Sequence, residues 1–183
     1  MQIYRLNQNN TPAVARLMSE LNPVFWDYSG VLEQLGGVEN TIGTVGWFVG
    51  DSEANPKGWV LCRELWSYRS IELECCGYDD GGIFSAEHKL NTLFDEICRY
   101  AVDKGFVSFR TAMGSQQFSI HGRELGDIAN EISNLTPDGR IDYDWLIRYG
   151  FRVVGIQPNA YGDKFHCILL SKDLRGYTQE VTS

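Results

Sequence analysis

"ELECCGYDDGGIFSAEHKLNTLFDEICRYAVDKGFVSFRTAM", residues 72–113, opens as a strand, turns through a glycine pair, continues as a helix and returns to a strand. Ala86, Leu90, Leu93, Phe94, Ile97 and Ala101 recur at helical spacing on one face, with Glu87, Asn91, Asp95, Arg99 and Asp103 away from it. That spacing predicts a helix over 86–104, with Ser85 as its N-cap and Gly105 stopping it. A strand, a glycine-rich turn and a helix in this order often cradle a phosphate. The helix start offers free N–H donors and a partial positive charge. The glycine segment "GYDDGG", 77–82, reads equally well as a solvated turn.

Upstream, Ile3–Leu6 reads as a short strand, and Thr11-Pro12 as an N-cap and first helical residue opening a helix over 12–21. A second helical piece spans 27–36. The runs "TVGWFVGD", "GWVLCRELW" and "SIELECCGY" are strand-like and separated by the turn chemistry of "DSEANPKG" and "SYR", which favours an antiparallel meander. Downstream of "FVSFRTAM" comes an insertion, 115–141, in which "RELGDIANEISNL" reads as a helix ended by "TPDG". It suits a substrate lid or a surface helix. "YDWLIRYG" then reads as a short helix, "FRVVGI" as a strand, "QPNAYGD" as a loop and "KFHCILLSKDL" as the last strand. The expected architecture is α+β: one mixed, mostly antiparallel sheet of six to seven strands flanked by helices. A single domain over 1–175 and a flexible tail over 176–183 are expected.

The chain has 183 residues and a formal net charge of −8, which argues against a nucleic-acid backbone or an anionic membrane as partner. The opening "MQIYRLNQNN" lacks the basic start and apolar run of a secretory leader. With five cysteines in no metal-type spacing, reduced thiols in the cytoplasm are expected. Cys75 and Cys76 are adjacent and should face opposite sides of their strand as small buried groups. His88, His121 and His166 are dispersed, so no metal is expected.

The element order, the stretch "WLIRYGFRVVG" followed by "CILLSKDL", and the strand–glycine–helix segment together resemble the GNAT superfamily of N-acetyltransferases. The resemblance covers nearly the whole chain in element order. It implies direct transfer of an acetyl (acyl) group from coenzyme A to a primary amine of a small molecule or peptide, and it allows a homodimer. It further implies that the strand before the long helix splays from the next one to admit the pantetheine arm. Cys75, Cys76 and Gly77 would line that arm, and Gly82, Ser85, His88 and Lys89 would form the phosphate cradle. Glu74, rather than Glu72, would be the general base, with Tyr143, Tyr149 or Tyr161 as the acid for the departing thiolate. Two departures stand out. The family's Gln/Arg-x-x-Gly-x-Gly/Ala cradle falls on Ser85, His88 and Leu90, and its usual tyrosine position holds Leu146. The alternative is a non-catalytic binding module that has lost the cradle.

Overall fold

The computed structural model describes residues 1–36, 43–79 and 86–177. Among them the chain runs β1 (Gln2–Arg5), α1 (Thr11–Leu21), α2 (Tyr28–Gly36), β2 (Thr44–Ser52), β3 (Asn55–Leu65), β4 (Ser70–Tyr78), α3 (Ala86–Asp103), β5 (Ser108–Gly114), α4 (Ile128–Ser133), α5 (Ile141–Arg148), β6 (Arg152–Gly162) and β7 (Phe165–Asp173). The seven strands form one sheet in the order β1-β2-β3-β4-β5-β7-β6. Every neighbouring pair is antiparallel except β4 and β5, which are parallel and joined through α3. The α+β expectation, with a mostly antiparallel sheet, holds.

Each face of the sheet buries its own core. On one side α1 and α2 contribute Val14, Ala15, Met18, Val31 and Leu35, packed against Phe48, Trp59 and Leu61. On the other, the apolar stripe of α3 (Leu90, Leu93, Phe94, Ile97, Cys98, Ala101) meets Ile71, Phe109 and Ile168. Gly105 ends α3 with φ +77°, a conformation that costs a glycine little. α5 docks along α3 by matched spacing. Trp145 Nε1 donates to Asn91 Oδ1 at 2.9 Å, and four residues on, Tyr149 Oη donates to Asp95 Oδ1 at 2.5 Å. Both pairs are i and i+4 on their own segments, so one helical face reads the other.

Four expectations are corrected. Thr11 does not cap α1: its hydroxyl donates to the Asn7 carbonyl at 2.7 Å, and Asn10 occupies the cap position. The helix expected over 123–135 shrinks to Ile128–Ser133, because Asp127 caps it by accepting from Asn130 N at 3.0 Å. "QPNAYG" belongs to β6 rather than a loop; its pairing with β7 is interrupted between Gln157 and Gly162, and an edge strand accommodates Pro158 there. β3 likewise starts at Asn55, inside the expected turn "DSEANPKG". Ser85, the expected cap of α3, lies outside the described residues.

Phe94 is fully buried and meets Phe109, Trp145, Tyr149 and Phe151 edge-to-face, with ring centroids 4.7–6.2 Å apart. Phe94→Ala should cost about 3–5 kcal/mol of stability. Val24→Ala, at an exposed position, should stay within about 0.5 kcal/mol of the parent. Urea denaturation midpoints at equal m-value check both.

Candidate active site

β4 and β5 share three residue pairs, Ser70–Ser108, Ile71–Phe109 and Glu72–Arg110. Beyond Glu72 the two strands continue, to Tyr78 and Gly114, without pairing to each other. The cause is visible on the other edge of β4. Its register with β3 shifts between Leu61–Cys75 and Cys62–Leu73, which leaves Glu74 as the extra residue of a bulge. A bulge bends its strand and adds local twist. This one falls two residues past the last β4–β5 pair. The β4 peptide groups that face β5 after that point have no strand partner, so they can receive an extended, amide-bearing ligand.

The gap is a cleft of about 1140 Å³. Leu73, Cys76 and Tyr78 line it from β4, Thr111 and Met113 from β5. Leu90 of α3 with Trp145 and Leu146 of α5 complete an apolar wall. A second groove of about 640 Å³, lined by Ser108, Arg152, Ser171 and Arg175, lies at the opposite end of β5, where the strands stay paired. It offers no open strand edge.

The charged lining is neutralised group by group. Glu74 pairs with Arg63 across the β3–β4 ladder. Asp142 accepts from Arg140 Nε at 2.8 Å and Nη2 at 3.0 Å. Glu87, in the first turn of α3, faces Arg148 of α5 at 3.4 Å. Arg140 Nη1 also donates to the carbonyls of Gly114 (3.0 Å) and Gln116 (2.9 Å), tying the end of β5 to the start of α5. Just behind the cleft, Lys57 holds the Asp79 carboxylate at 3.2 Å.

The residues singled out from the sequence are only partly gathered here. Glu74, Cys75 and Cys76 line the cleft. Cys75 packs toward α1 and α2 and Cys76 toward α3, on opposite faces as the strand period requires. Burial pushes their thiols up, to about 11 for Cys75 and about 12 for Cys76. Gly77 leaves room for the Trp59 indole, which any Cβ there would strike. Lys89 is 1% exposed and donates its ammonium to the Asp79 carbonyl, which binds α3 to the end of β4. His88 is exposed in the first turn of α3. Gly82 and Ser85 lie outside the described residues.

The three tyrosines are elsewhere. Tyr143 stands edge-on to Phe118, with centroids 5.0 Å apart. Tyr149 is spent on Asp95, and burial first, then Cys98 and that carboxylate, hold its phenol far above the ordinary tyrosine range. Tyr161 donates to Cys167 Sγ at 3.4 Å, and that bond, then burial, raises it to about 12. None of the three lines the cleft; Tyr78 does. Sequence reading missed Arg140, Asp142, Thr111 and Arg148, all brought in by α5 and the outer half of β5. An arginine next to a helix start carries no local signal of the carbonyls it will clamp. Gln117, at φ +61°, is a non-glycine in the left-handed region on the cleft rim, a backbone feature that composition does not disclose.

No protein-family model and no curated protein matches the sequence. Solved structures do match in shape. The aminoglycoside 6′-N-acetyltransferase from Enterococcus faecium aligns with a TM-score of 0.80 and 15% identity, covering 98% of this chain and 100% of that one. An aminoglycoside 6′-N-acetyltransferase complexed with coenzyme A gives a TM-score of 0.79 at 14% identity, with the same coverage. The ribosomal-protein-S18-alanine N-acetyltransferase from Escherichia coli gives 0.64 at 10%, covering 100% of this chain and 98% of that one. The fold is that of the GNAT acetyltransferases.

The raised thiols make a pH test. Folding favours protonated Cys75 and Cys76, so their contribution is complete below about 8.5, the ordinary thiol value. It should be lost as pH rises toward about 11 and 12. Denaturation midpoints should therefore fall across that window, and Cys75→Ser with Cys76→Ser should flatten the fall. A native protein in which both thiols react with a disulfide reagent at about pH 8 as fast as free cysteine contradicts this.

Proposed function

We propose that this protein transfers an acyl group, acetyl in the simplest case, from coenzyme A to a primary amine of a small molecule or peptide. The observation that carries this reading is the parting of β4 from β5 after three residue pairs, with an apolar cleft filling the gap. A pantetheine arm has the matching form: thin, extended, and bearing amides for a free strand edge. The likeness to acetyltransferase structures, one of them holding coenzyme A, supports it.

The residues fit the donor in three ways. The open edge of β4 at Cys75, Cys76 and Gly77 has peptide groups to spare beside an apolar wall. The acids near the cleft are each matched by a cation, so an anionic ligand does not meet naked carboxylates. In this reading Gly82, Ser85 and His88, which follow β4 in the chain, hold the pyrophosphate end, and the buried Lys89 supports them by fixing the β4–α3 junction. Bound coenzyme A supplies a thioester as acyl donor; the protein supplies alignment and proton handling.

On the acceptor side, Glu74 takes the amine proton, directly or through a water. Its seat on the bulge and on the cleft lining supports the role, and its pairing with Arg63 means that the amine competes for the carboxylate. Backbone N–H groups of 73–77 stabilise the charge that develops on the acyl oxygen. In this reading Tyr149 braces α5 against α3 through Asp95 and Tyr143 packs on Phe118, neither donating a proton, and the thiolate takes its proton from water.

A second reading, a non-catalytic binding module, draws on Leu146, which stands in the wall where the family resemblance calls for tyrosine. Acetyl-CoA separates the two. At 100 times its dissociation constant it should stabilise the fold by about 2.7 kcal/mol. An unmoved melting temperature at millimolar acetyl-CoA removes the enzyme reading. Glu74→Gln should keep coenzyme affinity and lower turnover about a hundredfold, measured with an aminoglycoside, spermidine and a peptide N-terminus as acceptors. Tyr149→Phe should cost about 1–3 kcal/mol of stability by leaving Asp95 with only the longer Tyr177 bond, while turnover stays near the parent's.

A further inference from the structure

Two cations line the cleft among the described residues, Arg140 and Arg148. They differ in how far they are committed. Arg140 has its guanidinium filled: two bonds to Asp142, two to the carbonyls of Gly114 and Gln116, and the Phe118 ring 5.7 Å away. Its side chain is 17% exposed. Lys89 is no substitute, being buried on the Asp79 carbonyl and absent from the lining. Arg148 has one contact, Nη2 to Glu87 Oε1 at 3.4 Å, with both side chains more than half exposed. An exposed pair of that length contributes little and exchanges readily.

We infer that Arg148 is a phosphate-binding residue of the coenzyme site, held on standby by Glu87 and exchanged onto the ligand when coenzyme binds. The inference rests on the coenzyme reading above and deepens it. Glu87 belongs to the first turn of α3 and Arg148 to the last turn of α5, so their pair spans the cleft mouth from one wall to the other. A phosphate entering there meets a carboxylate. Arg148 offsets that charge and offers donors that the Glu87 contact does not use. Guanidinium binds phosphate in a two-pronged geometry, so the exchange replaces a long single contact with shorter, charge-assisted ones. The cationic or amide residue that the family resemblance calls for at the helix start is Ser85 here, which leaves the charge to come from the opposite wall.

The two partners give effects of opposite sign. By isothermal titration of coenzyme A, Arg148→Gln should weaken binding about tenfold, with a shallower salt dependence. Glu87→Gln should bind as tightly as the parent or several-fold tighter, because the competing carboxylate is gone. Both positions are exposed, and melting temperatures verify that both variants fold. Dephospho-coenzyme A, which keeps the pyrophosphate and lacks the 3′-phosphate, identifies the group. An equal loss with both ligands assigns Arg148 to the pyrophosphate; a loss confined to coenzyme A assigns it to the 3′-phosphate. If the parent binds coenzyme A and Arg148→Gln binds it within twofold, or if Glu87→Gln weakens binding as Arg148→Gln does, the assignment is wrong while the coenzyme reading stands. A parent that does not bind coenzyme A at all overturns both.

Discussion

The site depends on one extra residue. Glu74 has no opposite number in β3, and the bulge it creates bends β4 within two residues of its last pair with β5. Had β4 continued in register, its parallel neighbour would have followed it and the sheet would have closed without a cleft. A parallel pair also needs a long crossover, and α3 is that crossover. The helix therefore begins at the diverging end of the strands and returns the chain to the paired end. Gap, helix start and open strand edge all fall on the same side because one bulge and one crossover require it.

Holding two strands apart leaves volume that must be filled or walled. The α3–α5 interface does this with large rings centred on Phe94, and with two polar anchors at matching spacing. Trp145 and Leu146 reach the cleft as the buried residues of α5, while Asp142 and Arg148 carry the charged contacts of the same helix. Arg140 closes the remaining corner by clamping two carbonyls at the end of β5 and one carboxylate at the start of α5. The cleft wall is therefore made of elements already fixed by core packing. That suits a site that must present fixed geometry rather than gather itself around a ligand.

Much of this was legible before any coordinates. The 3.6-residue period of 86–104 and the change to strand-like runs at Thr44 specify the order of elements, and Gly105 punctuates α3 where the pattern says it should. The parting of β4 and β5 also follows from the family resemblance. What sequence did not disclose is where long side chains end. Tyr149 looks available on a short helix, yet it is turned onto Asp95, a residue that the helical pattern puts on the polar side of α3. Lys89 is as polar as any residue in that helix, but its stem lets it bury beneath the end of β4 and tie down Asp79. Turn chemistry misled for a related reason. Pro158 and Asn159 are ordinary loop residues, and they sit where the β6–β7 register breaks between Gln157 and Gly162, Asn159 with φ +54°, on an edge strand that tolerates the interruption.

Charge distribution joins fold to function most directly. A chain of net charge −8 is expected to repel a ligand carrying phosphates at long range. Within the cleft that expectation does not carry over, because each acid on the lining has its own cation at short range. Glu74 has Arg63, Asp142 has Arg140, and Glu87 has Arg148. Beyond roughly 8–10 Å, salt screens the rest of the surface charge, so a bound anion responds mainly to these local pairs. The pairs also grade in commitment, from the saturated Arg140 to the loosely held Arg148. A saturated pair fixes a wall and cannot respond to a ligand. A loose pair adds little to stability, and for that reason it can change partner at little cost.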